Sequence, residues 1–262
     1  MFIVWGKKLV YRKVGHVADF CPICRKPSSF ELQRVGSAGH IYYISAGEGE
    51  LVGHERRCSV CSTTFHAQPS VYASVSKTTA PLPDLIAKTF PNLHVLLKER
   101  LALEQRVQSQ PATLSRDERH ALIRNPFLLL SPKVEKRYAA THLDLEIGLS
   151  FLAAVLLLIF GASAVRVVAP DHAEQSALVF AVLGILLVGW QFVQSGRRFM
   201  RREIVPVLAK SLAPLKPTRA ELQTVSNELR QLRHKIGSKL RLADLEERLS
   251  MNMSTARRDP QL

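Results

Sequence analysis

Two stretches of the chain hold no Lys, Arg, Asp or Glu: Ile147–Val165, 19 residues, and Gln175–Gly196, 22 residues. They read Phe151-Leu-Ala-Ala-Val-Leu-Leu-Leu-Ile-Phe160 and Leu178-Val-Phe-Ala-Val-Leu-Gly-Ile-Leu-Leu-Val188 at their centres. A helix rising about 1.5 Å per residue needs about 20 residues to cross about 30 Å of hydrocarbon, so each run predicts a transmembrane helix. A helix of a soluble core keeps a polar stripe, and these keep none. Between them, Arg166 to Glu174 with Pro170-Asp171 as the break predicts a short turn. Gly161, Ala162, Ser163, Ala164, Gly184 and Gly189 allow close helix contact, but Gly184 and Gly189 are five apart, so no GxxxG motif is present.

Outside these runs the period changes twice. Phe30–Val35 alternates, His40–Ser45 is aromatic and β-branched, Gly47-Glu-Gly49 is a turn, and Glu50–Arg57 and Ser62–His66 follow as strands. Residues 70–82, rich in Ser, Thr, Ala and Pro, read as a linker. Helical spacing begins after Pro83, with Leu93, Leu96, Leu97 and Leu101 on one face up to Pro111. Ser115-Arg-Asp-Glu118 is a capping box opening a second helix, which Asn125-Pro126 is expected to interrupt. The apolar Phe127–Leu130 that follows is too short to span and reads as core or interface packing. Past Pro214 and Pro217, Thr218-Arg-Ala-Glu221 is another capping box, and Leu222, Val225, Leu229, Leu232 and Ile236 form an a/d seam broken at Gly237-Ser238. That seam suits a short intramolecular helix or a homodimer contact equally. Residues 251–262 read as a frayed, flexible tail.

The chain has 262 residues, is 47% hydrophobic and carries a net charge of +14, which excludes a disordered chain, and four cysteines exclude a disulfide scaffold. Such a charge usually points to nucleic acid or an anionic membrane. Its distribution decides between them: +5 over residues 1–80, +3 over 81–144, −2 over 145–196 and +8 over 197–262. Lys133, Lys136 and Arg137 precede the first span and Arg197, Arg198, Arg201 and Arg202 follow the second, so the positive-inside rule puts both termini in the cytoplasm of a two-span protein of the inner membrane. Arg197, Arg198, Arg201 and Arg202 are expected to contact lipid headgroups. Trp190 and Phe192 suit the interfacial aromatic belt, and Met1–Lys8 is too short an apolar start for a secretory signal.

All four cysteines fall early, as Cys21-Pro-Ile-Cys24 and Cys58-Ser-Val-Cys61. Two Cys-x-x-Cys knuckles can bring four thiolates to one tetrahedral centre, and a cytoplasmic location disfavours disulfides. Cys21, Cys24, Cys58 and Cys61 are therefore expected to hold one structural zinc ion. Cys-Pro-x-Cys also resembles a rubredoxin iron knuckle, but there Gly usually follows, whereas Arg25 and Ser62 follow here. His16, His40, His54 and His66 read as ordinary strand or surface residues. Strands leading out of one knuckle and into the other resemble the zinc-ribbon fold group. More narrowly, "FIVWG…VADFCPIC" and "HIYYISAGEGELVGHERRCSVC" resemble a set of uncharacterised bacterial zinc-ribbon membrane proteins, over roughly residues 1–66. The resemblance implies a metal and a membrane, and no activity.

The fold expected is thus multi-part: a small β zinc ribbon with a four-cysteine site (residues 1–69), a linker (70–82), a cytoplasmic α-helical region (83–144), and a two-helix transmembrane hairpin (145–168 and 175–196 around an external loop at 169–174). A basic juxtamembrane segment (197–217), an amphipathic helix (218–250) and the tail (251–262) complete it. No Walker, GxGxxG, GxSxG or HExxH motif is present. His142 and Asp144, the one suggestive acid–base pair, do not face the same way on a helix. The expected role is therefore not enzymatic but that of a membrane-anchored scaffold with a protein partner. Two alternatives remain open: an accessory subunit of a larger membrane complex, or a nucleic-acid-binding ribbon using Lys7, Lys8, Arg12, Lys13, Arg25, Arg56 and Arg57, with Tyr42, Tyr43 and Phe65 able to stack bases.

Overall fold

The structure, a computed structural model, describes residues 5–41, 44–45, 47–139, 145–168 and 173–258. His142, Asp144, Tyr42, Tyr43 and the 169–172 part of the inter-span loop lie outside them. The chain forms two compact units: residues 1–119 with 210–215, and residues 120–209 with 216–262.

The first unit is built on an antiparallel sheet. Strands β1 (Trp5–Cys21), β2 (Lys26–Ile41), β4 (Glu50–Cys58) and β5 (Thr64–Ala67) lie in that order, and the two-residue β3 (Ile44–Ser45) pairs with β2. The strands, expected from Phe30, begin at Trp5: the stretch from Lys7 to Lys13 shows little alternation in sequence but pairs residue by residue with β2. A bulge at Val14, where the register shifts between Lys13 and Gly15, divides β1. Before it the strand is largely exposed; from Gly15 to Cys21 it is buried among Phe30, Leu32, Leu85 and Leu93.

Residues 70–82, expected as a linker, pack against that buried half. His16 and Ser76 exchange backbone hydrogen bonds, at 2.6 and 3.0 Å, and a side chain at Gly15 would collide with the Ser76 carbonyl. Helices α1 (Leu82–Thr89), α2 (Leu93–Leu96) and α3 (Lys98–Ser109) follow. Thr89 Oγ1 accepts a hydrogen bond from the Ala18 backbone N–H at 2.9 Å, tying α1 to the sheet.

The second unit is helical. Helix α4 (Arg116–Ala139) runs through both Pro126 and Pro132 without the interruption expected at Pro126. Each proline removes a helical N–H, but Leu122, Ile123, Phe127, Leu130 and Val134 bury one face, and packing outweighs the local cost of about 3 kcal/mol. The apolar Phe127–Leu130 cluster thus contributes to a core.

Helix α5 (Leu145–Leu156), a π turn (Leu157–Gly161) and α6 (Ala162–Val168) make the first apolar helix. Helix α7 (Ala173–Phe199), a second π turn (Met200–Ile204) and α8 (Val205–Leu212) make the second. Both are long and apolar enough to cross a membrane, and in the most apolar part of each only 11% is buried. Phe151, Ile185 and Trp190 are exposed, and this low burial differs from a helix in a soluble core, which is mostly buried. They touch where the small residues lie: a Cβ on Gly184 would sit 3.1 Å from that of Ala154, and one on Gly161 3.0 Å from the Phe180 ring. The arginine-rich stretch after the second run is not a separate segment but part of the same continuous helix.

The single amphipathic helix expected over 218–250 is three: α9 (Arg219–Gln231), α10 (Lys235–Lys239) and α11 (Leu242–Arg258). The break falls at Arg233, in the left-handed region with φ 62°, rather than at Gly237. Gly237 instead lets α10 lie on α9, since a Cβ there would meet the Ser226 carbonyl oxygen at 2.8 Å. Leu222, Val225, Leu229 and Ile236 are buried, while Leu232, expected in the same seam, turns outward. Helix α11 continues to Arg258, through much of the expected tail.

Candidate metal centre

Each cysteine pair occupies the tight turn between two strands, β1 to β2 for Cys21 and Cys24, and β4 to β5 for Cys58 and Cys61. Pairing of β2 with β4 sets Phe30 opposite Cys58, and the same register carries both turns to one end of the sheet. The turns are built alike. The Arg25 N–H donates to the Cys21 carbonyl at 2.7 Å and the Ser62 N–H to the Cys58 carbonyl at 2.9 Å, with Arg25 and Ser62 in the left-handed region at φ 58° and 56°. These are the positions glycine fills in rubredoxin-like knuckles. Backbone N–H groups also point at sulfur, Cys24 N–H to Cys21 Sγ at 3.3 Å and Val60 N–H to Cys58 Sγ at 3.4 Å.

The four Sγ atoms lie within 4.8 Å of one another, with Cys21–Cys61 at 3.6 Å and Cys24–Cys58 at 3.9 Å. Tetrahedral thiolate ligation at about 2.3 Å places sulfurs about 3.8 Å apart, whereas a disulfide requires about 2.05 Å. The quartet therefore fits one metal ion and no disulfide. Hydrogen bonding within the cluster polarises it: thiol contacts led by that of Cys21 push the Cys58 thiol down and bring Cys61 to about 6, while Cys21, bonded to Cys24, Cys58 and Cys61, is pushed up. Protons crowded among four sulfurs are what a divalent cation displaces. Among the described residues no histidine joins the cluster.

Around the centre, structure assigns parts to residues that local sequence patterns could not pair. Arg25 Nε donates to Glu104 Oε2 at 2.6 Å, with both side chains 4% exposed, and Arg100 Nη2 lies 2.9 Å from Glu104 Oε1. The first knuckle is thereby locked to α3. On the other side Asp19, two residues before Cys21, accepts from the Phe20 N–H through Oδ1 and from Arg56 and Tyr72 through Oδ2. Arg56 also lies 5.4 Å above the Phe30 ring, which meets Phe65 edge-on at 6.3 Å. Burial, and then the Asp19 carboxylate, push the Tyr72 hydroxyl pKa up, so it stays a donor. Partners 37 and 53 residues from Asp19 give no signal in sequence.

These contacts change the standing of several residues. Arg25, counted among cations for nucleic acid, is buried against Glu104, half-buried Arg56 is paired with Asp19, and half-buried Phe65 packs edge-on against Phe30; Lys7, Arg12 and Arg57 are exposed. Of the four arginines after the second apolar run, Arg197 is exposed, Arg198 donates to Gln191 Oε1 at 2.6 Å, Arg201 faces Asp244 and Glu247, and Arg202 pairs with Glu146.

No family model, characterised protein or solved structure matches this chain. Its likeness to zinc ribbons accordingly rests on the cysteine quartet and the strands that carry it.

Proposed function

We propose that the chain is a membrane-anchored zinc-ribbon protein, of the kind met in uncharacterised bacterial membrane proteins. Its four-cysteine centre holds one structural zinc ion, its hairpin anchors it in the inner membrane with both termini cytoplasmic, and it serves as a scaffold for a protein partner rather than as an enzyme. The observation that supports this reading is the sulfur geometry: four thiolates around one ion would fill a tetrahedral site with protein ligands. Zinc is favoured over iron by chemistry: a closed tetrahedral thiolate site needs no redox partner to be useful in holding two hairpins together. The exposed apolar helices support the anchor.

Elemental analysis of the purified full chain should give one zinc per polypeptide, lost in Cys58→Ser. Iron, or no metal, overturns the zinc centre. The chain should stay with the membrane pellet at alkaline pH, and crosslinking in intact membranes should capture a defined protein that survives high salt.

A second reading, nucleic-acid binding, is favoured by exposed Lys7, Arg12 and Lys13 along the largely exposed first half of β1, beside Lys8. It would show as binding that falls steeply with salt and is lost when Lys7 and Arg12 are neutralised.

A further inference from the structure

The helix that leaves the second apolar run meets α11 at a cleft of about 250 Å³, lined by Arg201, Val205, Pro206, Asp244, Glu247, Arg248 and Met251. Its charges are two guanidinium groups and two carboxylates, a balanced set. Arg201 Nε stands 3.6 Å from Asp244 Oδ1, and Nη2 stands 3.8 Å from Glu247 Oε2. Arg201 is thus ion-paired with both carboxylates at separations longer than a hydrogen bond of about 3.2 Å, pairs that a zwitterionic ligand would exchange for its own phosphate and ammonium. Asp244 and Arg248 are one turn apart on the same face of α11. Val205 and Pro206 supply an apolar wall.

Position adds to chemistry. Arg201 lies five residues past Gly196, the end of the charge-free run, which is about 7–8 Å along a helix. A bilayer of about 40–45 Å with a core of about 30 Å has a headgroup layer of about 5–8 Å on each side. The cleft therefore opens at headgroup depth if the run spans a bilayer. Arg201 and Arg202 sit in the π turn Met200–Ile204, one facing α11 and the other Glu146, as neighbours about 100° apart on a helix do.

We propose that this cleft binds the phosphoethanolamine headgroup of a bilayer lipid, with the phosphate on Arg201 and Arg248 and the ammonium on Asp244 and Glu247. A guanidinium fork suits phosphate oxygens, and carboxylates suit a primary ammonium that can donate three hydrogen bonds. A phosphoglycerol headgroup brings a phosphate alone and meets two carboxylates. A phosphocholine headgroup brings a cation with no N–H to donate. The balanced charge of the cleft selects against both, and its volume, near the lower end of ligand pockets at about 300 Å³, matches a headgroup rather than a larger ligand. The inference rests on the membrane-anchor reading.

The test is native mass spectrometry of the full chain in detergent, titrated with short-chain phosphatidylethanolamine, phosphatidylcholine or phosphatidylglycerol, and with free phosphoethanolamine. Phosphatidylethanolamine should bind about tenfold more tightly than the other two lipids. Asp244→Asn and Glu247→Gln, each checked for native helicity, should bring it down to the level of phosphatidylcholine, while Arg248→Gln weakens all three lipids. Equal or tighter binding of phosphatidylglycerol, or an unchanged preference in both carboxylate variants, overturns the proposal. Free phosphoethanolamine binding as tightly as the lipid overturns the lipid source. Release of the chain by alkaline extraction would instead overturn the anchor, which the detergent titration does not depend on.

Discussion

Arg25 follows the first cysteine pair in a left-handed backbone conformation and buries its guanidinium against Glu104. Two demands meet at this residue: the turn favours glycine, and the buried carboxylate requires a cation. The second wins, because an uncompensated buried charge costs more than left-handed backbone does at one non-glycine residue, about 1–2 kcal/mol. Arg25→Ala should therefore destabilise the metal-loaded protein by about 3 kcal/mol, and Arg25→Gly should not recover the loss. Ser62 occupies the equivalent place in the second knuckle but is exposed, and its side chain holds no comparable partner. Ser62→Gly should be neutral or stabilising by up to about 1 kcal/mol. Thermal unfolding of the three variants separates the two knuckles, and a loss of stability in Ser62→Gly equal to that in Arg25→Gly would refute this account. Cys-x-x-Cys spacing made the ligands legible in sequence. It could not show that Arg25 is buried, because its partner arrives from a helix 79 residues away.

At the scale of elements, helix starts were more legible than helix stops. Both capping boxes form as read: the Ser115 N–H donates to Glu118 Oε2 at 3.0 Å and Ser115 Oγ accepts from the Glu118 N–H at 3.1 Å, with the matching pair at Thr218 and Glu221. The Ser115 N–H, aided by Arg106, holds the Glu118 carboxyl below the ordinary glutamate value. A depressed carboxyl stabilises the fold above its unfolded pKa, and that contribution disappears as pH falls through the folded one. The stability gap between the native chain and Glu118→Gln should thus be present at about pH 6 and shrink as pH falls below the unfolded glutamate pKa of about 4.3. Denaturation at stepped pH reads it, and a constant gap would refute the link. Proline at 126 was a misleading stop, since a single residue's propensity carries no information on how much apolar surface the helix buries. Within the hairpin, Gly184 faces Ala154 closely while Gly189 has open space around it. Gly184→Leu should weaken helix pairing by about 1–3 kcal/mol and Gly189→Leu should leave it unchanged, as measured by denaturant resistance of a crosslink between the two helices.

For the molecule as a whole, the +14 charge is an average over unlike parts. Its largest share follows the second apolar run, where structure engages Arg198, Arg201 and Arg202 with neighbouring polar side chains. A basic pI is therefore weaker support for nucleic acid than the bare count suggests, and more so once the pairing of Arg25 with Glu104 and of Arg56 with Asp19 is counted. The proposed orientation predicts that a cysteine at Ala169 reacts with a membrane-impermeant maleimide in intact cells, and one at the exposed Lys210 only after permeabilisation, read from the labelled peptides. The reverse pattern would invert the topology.

Features that depend on composition and short spacing were determined by the chain alone: two charge-free runs long enough to span, two cysteine pairs able to share one ion, and two helix caps. Each is a local property, fixed by transfer energy or by side chains within a few residues. Tertiary structure decided what depends on distant partners. It extended the sheet back to Trp5 through pairing with β2, drew residues 70–82 onto β1 through Ser76, and carried α4 through its prolines on a buried face. It also buried Arg25 against Glu104 and paired half-buried Arg56 with Asp19, because burial and pairing across tens of residues are set by packing, and no window of sequence contains both partners.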